Sequence, residues 1–308
     1  MSEHRNLEIY DRISLLKEQK DVLILAHLYQ PLEIQKVADF CGDSFELAKR
    51  AKESDKQNIV FCGVKFMAES AKILNPEKHV FLPCEDAGCA MADMVTAEDV
   101  ISLKEKFPDA IAVCYINSSA ATKAQCDVCV TSSNALKIIN NISQKEIIFV
   151  PDKNLGSYIA NMAPDKKFYL HSGYCPVHKN IPLSSALSMK QKHPDALFLV
   201  HPECEGDVVN IADFIGSTSG IIDYAKKSDA REFIIGTERA VYEKLSQECP
   251  DKKFFLLDES LVCPDMKLIT LDSLLDILEN LDNEIVLSEE VIKNARTCLD
   301  NMLKLATR

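Results

Sequence analysis

One pattern occurs three times along this sequence, and the repetition constrains the fold more than any other feature. The copies begin at Val22, Ala110 and Ala196, and each opens with a short apolar run that predicts a buried parallel strand. A polar residue closes each strand, an aspartate follows 12 residues later, and a hydroxyl residue follows 17 residues later. These positions are His27, Asp39 and Ser44; Tyr115, Asp127 and Ser132; and His201, Asp213 and Thr218. Two spacings kept three times indicate a triplicated unit.

The second half of each unit repeats more loosely and ends in a cysteine. A second strand-like run, a helix-like stretch and a third short apolar run follow one another in each copy. The second runs are NIVFCG from Asn58, EIIFVP from Glu146 and EFIIGT from Glu232; the third runs begin at Val80, Phe168 and Phe254. The cysteines just beyond them are Cys89, Cys175 and Cys263. We therefore expect one equivalent thiol per unit.

Alternating strands and helices predict an α/β fold with parallel sheets. We expect three homologous α/β/α domains over residues 20–96, 97–184 and 185–270, with helical segments at 1–19 and 271–308. Apolar spacing from about Asn6 to Gln19 and from about Ser288 to Leu305 predicts amphipathic helices that pack on the third domain or on the junction. If the domains surround a pseudo-threefold axis, their strand C-termini converge on one centre, where α/β sheets bind ligands.

Composition narrows the class of protein. Lys and Arg total 35 against 47 Asp and Glu, a net charge of −12 that disfavours a nucleic-acid partner. The N-terminus has no signal-peptide h-region, and the apolar run from Val22 to Ala26 is too short to span a bilayer. We expect a cytoplasmic protein without a membrane partner. Because the cytosol keeps thiols reduced, twelve cysteines favour a metal or reactive site over a disulfide framework.

The three equivalent cysteines admit two interpretations. Thiolates bind iron–sulfur clusters and zinc, and these three lie too far apart in sequence for a zinc knuckle. Three ligands would leave one iron of a cubane cluster open as a Lewis acid. His178, three residues after Cys175, could reach the same cavity. The alternative is that the cysteines are buried packing residues.

Polar pairs at the strand ends suggest a shared cavity. The pairs are His27 and Tyr29, Tyr115 and Asn117, and His201 and Glu203. In an extended segment, residues two apart project to the same side, so each pair would face one site, where His, Tyr and Glu can move protons. The alternative for each histidine is a purely structural role.

The repeated hydroxyl residues also have two interpretations. Ser44, Ser132 and Thr218 each precede a helix-like stretch, so they could be ordinary helix N-caps. They could equally help helix N-termini to bind anions, because free N–H groups and the helix dipole favour negative charge there. Glycine-rich dinucleotide and P-loop motifs are absent from the sequence.

At these residues the chain resembles the quinolinate synthase A family. The resemblance runs from about residue 20 to 272. The matching stretches are ILAHLYQ, ADFCGDSFELA, GVKFMAESAKILNP, EDAGCAMADM, CYINSSAATKAQCDVCVTSSNA, SGYCPVH, HPECEGDVVNIADFIGSTSGI, FIIGTE and CPDMKLIT. Stretches this long and in this order are highly specific.

The resemblance implies a transferase of NAD biosynthesis. Such an enzyme condenses iminoaspartate with dihydroxyacetone phosphate to give quinolinate, phosphate and water. The resemblance implies one [4Fe-4S] cluster per chain, held by Cys89, Cys175 and Cys263, whose open iron acts as a Lewis acid. It also implies an aspartate oxidase or dehydrogenase that supplies the iminoaspartate.

The resemblance assigns individual residues as well. The substrate-binding residues that it implies are His27, Ser44, Tyr115, Ile116, Asn117, Ser132, His201, Pro202, Glu203 and Thr218. From side-chain type and family position together, we expect Tyr29, His201 and Glu203 to be the catalytic acids and bases.

The chain departs from some members of this family at one motif, and other hypotheses for its function stay open. Some relatives carry a C-x-x-C near the third ligand, whereas only Cys263 stands there in this chain. The C-x-x-C at Cys126 and Cys129 lies elsewhere, and we interpret it as packing. Competing hypotheses are an iron–sulfur hydro-lyase acting on a hydroxy acid, a non-catalytic metal-binding protein, and a plain α/β scaffold.

Overall fold

The repeated units fold into three sheets, each built from four parallel strands. The computed structural model describes residues 2 to 307, apart from the side chains of residues 2, 3, 4 and 6. The α/β fold class is confirmed.

The first unit alternates strands with helices. Its elements are β1 (Val22–His27), α2 (Leu32–Val37), β2 (Phe40–Gly42), α3 (Ser44–Glu53), β3 (Asn58–Cys62), α4 (Lys65–Leu74) and β4 (His79–Phe81). A 3-10 turn, Ala92–Met94, follows. The helix α1 (Ser2–Gln19) precedes the unit. The strand order in the sheet is β2-β1-β3-β4.

The second unit repeats this arrangement. It contains α5 (Ala97–Lys106), β5 (Ile111–Tyr115), α6 (Ala120–Gln125), β6 (Val128–Val130), α7 (Ala135–Asn141), β7 (Glu146–Val150), α8 (Lys153–Met162), β8 (Lys167–Leu170) and α9 (Pro176–Lys179). Its strand order, β6-β5-β7-β8, is the same as that of the first unit.

The third unit repeats it again. It contains α10 (Leu183–Lys192), β9 (Leu197–Val200), α11 (Gly206–Val209), β10 (Phe214–Ile215), α12 (Thr218–Lys227), β11 (Glu232–Gly236), α13 (Arg239–Glu248) and β12 (Lys253–Leu256). Its strand order is β10-β9-β11-β12, and a 3-10 turn, Asp265–Lys267, follows. The chain ends with α14 (Leu271–Asn280) and α15 (Glu289–Ala306).

The repeated aspartate has a structural role in every unit. Its carboxylate accepts the backbone N–H of a residue in the first strand, at 2.8, 2.8 and 2.7 Å in the three copies. The aspartate N–H in turn donates to the carbonyl of that same residue. The partners of Asp39, Asp127 and Asp213 are Ile24, Ala112 and Phe198. This two-way contact aligns a second strand of only two or three residues, too short to show in the sequence periodicity.

The terminal helices pack mainly on the first two units. Helix α1 lies against α14 and β1, and α15 lies against α6, β6, α7 and α4. Together they share one apolar core with units one and two, whereas the third unit has separate apolar clusters on the two faces of its sheet. The expectation was that these helices pack on the third domain or on the junction. Their main contacts lie instead with units one and two, which α15 bridges. Within residues 2–307, no helix has both the length and the apolar character needed to cross a bilayer.

Candidate active site

Residues that follow strands of all three sheets line one cavity of about 200 Å³. Nearly every residue singled out from the sequence lies on its wall. These are His27, Tyr29, Ser44, Cys89, Tyr115, Ile116, Asn117, Ser132, Cys175, His178, His201, Glu203, Thr218 and Cys263. Pro202 is buried but is not among the lining residues.

Three of the twelve cysteines line this cavity, and they are the three repeat-equivalent ones, Cys89, Cys175 and Cys263. They lie on the loops after β4, β8 and β12, five to eight residues beyond the strand ends. Each loop is fixed by the same backbone hydrogen bond. The first N–H of α4, α8 or α13 donates to the carbonyl two residues before the cysteine, at 2.7–2.8 Å.

The chemistry of these thiols suits a cationic, thiophilic group. Burial raises the pKa of Cys89 to about 12 and that of Cys263 to about 11, and it raises the pKa of Cys175 well above its ordinary value. Without a cation the three groups are therefore neutral thiols. Iron or zinc supplies the positive charge that turns such thiols into thiolate ligands. The donor set fits an iron–sulfur cluster with three protein ligands.

A second group of potential ligand atoms adjoins Cys175. Atoms of Cys175, His178 and Glu203 lie within 4.8 Å of one another. His178 Nδ1 is 3.3 Å from Cys175 Sγ and 2.7 Å from Glu203 Oε2. Hydrogen bonding between these side chains accounts for the contacts, although the same atoms could hold a single metal ion.

Glu203 is a buried carboxylate held by several groups. Tyr115 donates its hydroxyl to Oε1 at 2.7 Å, and His178 and His201 approach Oε2 at 2.7 and 3.6 Å. Burial alone would raise the carboxyl pKa. The hydrogen bonds from His178 and Tyr115 outweigh it, so the pKa of Glu203 lies below its ordinary value. The arrangement keeps an ionised base inside the cavity.

Two cavity histidines are neutral N–H donors. His27 Nδ1 accepts the Tyr29 N–H at 3.1 Å, and His201 Nδ1 accepts the Glu203 N–H at 3.3 Å. Chiefly through burial, the pKa of His27 falls to about 3 and that of His201 to about 4. With Nδ1 accepting, the proton of each ring sits on Nε2. Each histidine can therefore offer a neutral N–H to a ligand.

These contacts also show that the strand-end pairs reach the cavity through turns. The Gln30 N–H donates to the His27 carbonyl, and the Cys204 N–H donates to the His201 carbonyl. All six residues of the pairs line the cavity. The extended geometry predicted for the pairs was wrong, because the chain turns as soon as β1 and β9 end.

A chain of hydrogen bonds links Tyr29 to Glu203. Thr218 donates to the Tyr29 hydroxyl at 3.0 Å, and that hydroxyl lies 3.3 Å from the Thr237 hydroxyl. Thr237 Oγ1 is 2.9 Å from His178 Nε2, and His178 Nδ1 contacts Glu203. Burial, together with the charge of Glu203, raises the pKa of Tyr29 well above its ordinary value. Tyr29 is thus a neutral phenol connected to an ionised carboxylate.

The repeated hydroxyls are not the helix caps. Asp43 caps α3 by accepting the N–H groups of Phe45 and Glu46, and Ser217 caps α12 by accepting the Gly220 N–H. Ser44 and Thr218 are therefore the first residues inside their helices, and both line the cavity. Ser132 lies in the turn before α7. The N-cap interpretation was wrong for Ser44 and Thr218, since the residue before each already serves as the cap.

Sequence reasoning missed several residues of the site. Thr237 completes the chain from Tyr29, and Glu238 lines the cavity wall next to it. The positions before α4, α8 and α13 are Val64, Asp152 and Glu238, each 37 residues after the strand-end residue. That constant spacing was a usable signal. The changing residue type (Val, Asp, Glu) hid it.

Comparisons with known proteins find relatives that match this chain over nearly its whole length. The family model described as "Quinolinate synthetase A protein" matches residues 11–304. The chain is 50% identical over 295 residues to "Quinolinate synthase" of Clostridioides difficile (strain 630), covering 96% of this chain and 97% of that one. It is 52% identical over 299 residues to "Quinolinate synthase" of Caldicellulosiruptor saccharolyticus, covering 97% and 99% of the two chains. It is 49% identical over 298 residues to "Quinolinate synthase 2" of Methanosarcina acetivorans, covering 97% and 96%.

Proposed function

The chain belongs to the quinolinate synthetase A family, and we propose on that basis that it is a quinolinate synthase. This transferase would condense iminoaspartate with dihydroxyacetone phosphate to give quinolinate, phosphate and water in NAD biosynthesis. The observation that carries the proposal is the cavity itself. Its wall combines the three repeat-equivalent thiols with the buried Glu203 carboxylate.

We also propose that the three units are domains, over residues 20–96, 97–184 and 185–270, around a pseudo-threefold axis with the active site at their junction. The terminal segments 1–19 and 271–308 would pack on this core. The same strand order in all three sheets supports the proposal, as does the contribution of every unit to one cavity.

Cys89, Cys175 and Cys263 would hold a [4Fe-4S] cluster. When bound, the cluster would supply an open iron that polarises a substrate hydroxyl or carboxylate. The protein's own contribution is the cavity, in which the three thiols come from three separately anchored loops. Such anchoring keeps the ligands in place before the cluster arrives.

The substrates would bring two carboxylates and a phosphate to a wall without lysine or arginine among its lining residues within 2–307. Neutral donors would therefore bind them. Ser44 and Thr218 stand at the starts of ten-residue helices, where free N–H groups favour anions. Ser132 and the Nε2–H groups of His27 and His201 would add further donors.

Asn117, Ile116 and Tyr115 would complete substrate binding from the second unit. The buried Oδ1 of Asn117 has no hydrogen-bond partner within residues 2–307. It could accept a substrate hydroxyl or imine N–H. Pro202 would act through the turn that carries His201 and Glu203, because it does not itself line the cavity.

Glu203 would take a proton from a carbon of the triose next to its carbonyl, which gives an enediolate. Tyr115 and His178 hold the carboxylate for this step. The His201 Nε2–H would hydrogen-bond the developing enediolate oxygen. Tyr29 would donate or accept a proton in a later step, through Thr237 and His178.

We further propose that the protein works in the cytoplasm, where thiols stay reduced. An aspartate oxidase or dehydrogenase would supply the unstable iminoaspartate. Neither a nucleic acid nor a membrane is needed for this function.

Metal and product analysis tests the proposal. The wild type, purified anaerobically, is expected to be brown, with about four iron and four sulfide per chain, and to form quinolinate. Cys89→Ala, Cys175→Ala and Cys263→Ala should each lose the cluster and all measurable synthesis. The matched control is Cys84→Ala, close in sequence to Cys89 but not lining the cavity. A colourless wild type after reconstitution would overturn the cluster. A brown protein that dehydrates hydroxy acids but makes no quinolinate would favour the hydro-lyase.

A further inference from the structure

An ion pair beside the third cysteine loop has no counterpart in the other two units. Glu238 is fully buried, and Lys267 approaches its Oε1 at 3.0 Å with 27% of the lysine side chain exposed. At the equivalent positions, the first unit has Val64 and the second has Asp152. One carboxylate oxygen of Asp152 accepts the Leu155 N–H, and the other has no hydrogen-bond partner within residues 2–307. Only the third unit therefore joins a carboxylate to a lysine at this place.

The Glu238 carboxylate organises the loop that bears Cys263. Its Oε2 accepts the Ala240 N–H at 2.7 Å, and its Oε1 accepts the Cys263 N–H at 3.3 Å as well as the Lys267 ammonium. The side chain thus joins the start of α13 to the cysteine backbone and to the following 3-10 turn. Since a buried carboxylate is costly without partners, the contacts hold one another in place.

Lys267 extends this arrangement to the first unit. Its Nζ also donates to the backbone carbonyl of Tyr29 at 2.6 Å. Thr237, the neighbour of Glu238, contacts the Tyr29 hydroxyl. Two segments of the third unit, the turn that carries Lys267 and the β11–α13 connection that carries Thr237, therefore hold Tyr29 at its backbone and at its hydroxyl.

We infer that Glu238 and Lys267 form a positioning pair that fixes Cys263 and Tyr29 relative to each other. The inference rests on the proposed function, in which Cys263 holds the cluster and Tyr29 exchanges a proton with the substrate. Neither residue of the pair is itself a catalytic group. A misplacement of about 1 Å can lower turnover about a hundredfold, so such a pair matters although it does no chemistry.

Variants of the pair test this inference. Lys267→Met and Glu238→Gln should each lower turnover per bound cluster about 10- to 100-fold, while KM for each substrate changes less than about threefold. Lys267→Arg keeps a cation and several donors, so it should recover most of the loss. The double variant Glu238→Gln/Lys267→Met should be no worse than the more severe single variant, because the residues act as one unit.

The matched control is Lys72→Met. Lys72 is also mostly buried, and it also contacts one carboxylate and one backbone carbonyl, those of Glu284 and Lys78, at a place that does not line the cavity. Its loss can lower the unfolding midpoint but should leave turnover per cluster unchanged.

A readout independent of turnover is the paramagnetic resonance spectrum of the reduced cluster. It should change in Glu238→Gln and Lys267→Met, because the Cys263 backbone shifts, and stay as wild type in Lys72→Met.

Wild-type turnover per cluster and an unchanged spectrum in both pair variants would overturn the inference, as would effects that multiply in the double variant. If Lys267→Met does not fold, the turnover and spectra of Lys267→Arg and Glu238→Gln still test the inference. A wild type without cluster or synthase activity would instead overturn the proposed function.

Discussion

The two ends of each sheet differ in how closely the three units agree. Away from the cavity, the same contacts occur three times. Asp39, Asp127 and Asp213 each align two strands, and each also pairs with a lysine. Lysines placed 51 residues after each strand-end residue donate to carbonyls at the C-terminal end of α3, α7 or α12. These are Lys78, Lys166 and Lys252.

At the cavity, equivalent positions carry different chemistry. The strand ends are His27, Tyr115 and His201, and the residues two positions later are Tyr29, Asn117 and Glu203. Only the cysteines are the same in all three units. Every copy of a fold needs the same backbone contacts, whereas the two dissimilar substrates of the proposed reaction would need different groups around them. The comparison therefore separates residues that serve folding from residues that serve the reaction.

Among changes at the cavity end of the sheets, Glu203→Gln should have the largest effect. Loss of the ionised base should lower turnover at least about 100-fold, equivalent to about 2.7 kcal/mol of barrier. Iron content and unfolding midpoint should stay close to wild type. The control is Glu205→Gln, two residues along the chain and outside the cavity lining. Near-normal turnover of the Glu203 variant would remove this residue from the mechanism.

Asp127→Ala tests the opposite end of the sheet. The change leaves the Ala112 N–H without its charged acceptor, which should cost about 2 kcal/mol of unfolding free energy. Urea denaturation measures the cost, and turnover per cluster should be unchanged. Asp39→Ala and Asp213→Ala should lower the unfolding free energy by similar amounts. Asn in place of Asp at any of these three positions should restore part of that free energy. Strongly unequal costs would contradict the equivalence of the units.

Ser44→Ala probes a smaller contribution to ligand binding. Loss of one hydroxyl to an anionic group should raise the KM of one substrate about tenfold, equivalent to about 1.4 kcal/mol, with kcat within about threefold. Steady-state kinetics with each substrate varied in turn identifies which one Ser44 contacts. Ser54→Ala, at the other end of α3, should change neither constant. An unchanged KM for both substrates would exclude Ser44 from binding.

Lys104→Met should show the smallest effect. Lys104 Nζ lies 3.2 Å from Asp127 Oδ1, and both side chains are about 40% exposed. Solvent screening limits such a pair to less than about 1 kcal/mol, and added salt should reduce it further. Urea denaturation at low and high salt measures it. A cost as large as that of Asp127→Ala would mean that the aspartate acts through the ion pair rather than through the backbone.

Much of the site could be predicted because each unit keeps its spacing. Constant distances marked the strand-end residues and the hydroxyls, and nearly constant distances of 62, 60 and 62 residues marked the cysteines. Most of these residues line one cavity. The helix at the C-terminus was also predicted well: Ser288 is its N-cap, and it spans Glu289–Ala306. Strands β2, β6 and β10 were missed because two or three residues show no periodicity.

Contacts between units could not be predicted from spacing. Thr237 and Glu238 directly follow β11, at positions whose residue type changes from copy to copy. Lys267 reaches the Tyr29 carbonyl across 238 residues of sequence. The packing of α15 between units one and two likewise depends on which apolar faces remain uncovered once the sheets have formed.

The sequence by itself determined the α/β class, the threefold repeat, the strands with clear apolar runs and the set of equivalent thiols. Apolar periodicity and the separation of residues along the chain are properties of the sequence itself, so the sequence alone can reveal them. Tertiary structure decided that other residues cap α3 and α12, so that Ser44 and Thr218 line the cavity. It also decided how Tyr29, Thr237, His178 and Glu203 join in one chain of hydrogen bonds. Such contacts depend on distances of a few ångströms between residues far apart in sequence, and only the packed units set those distances.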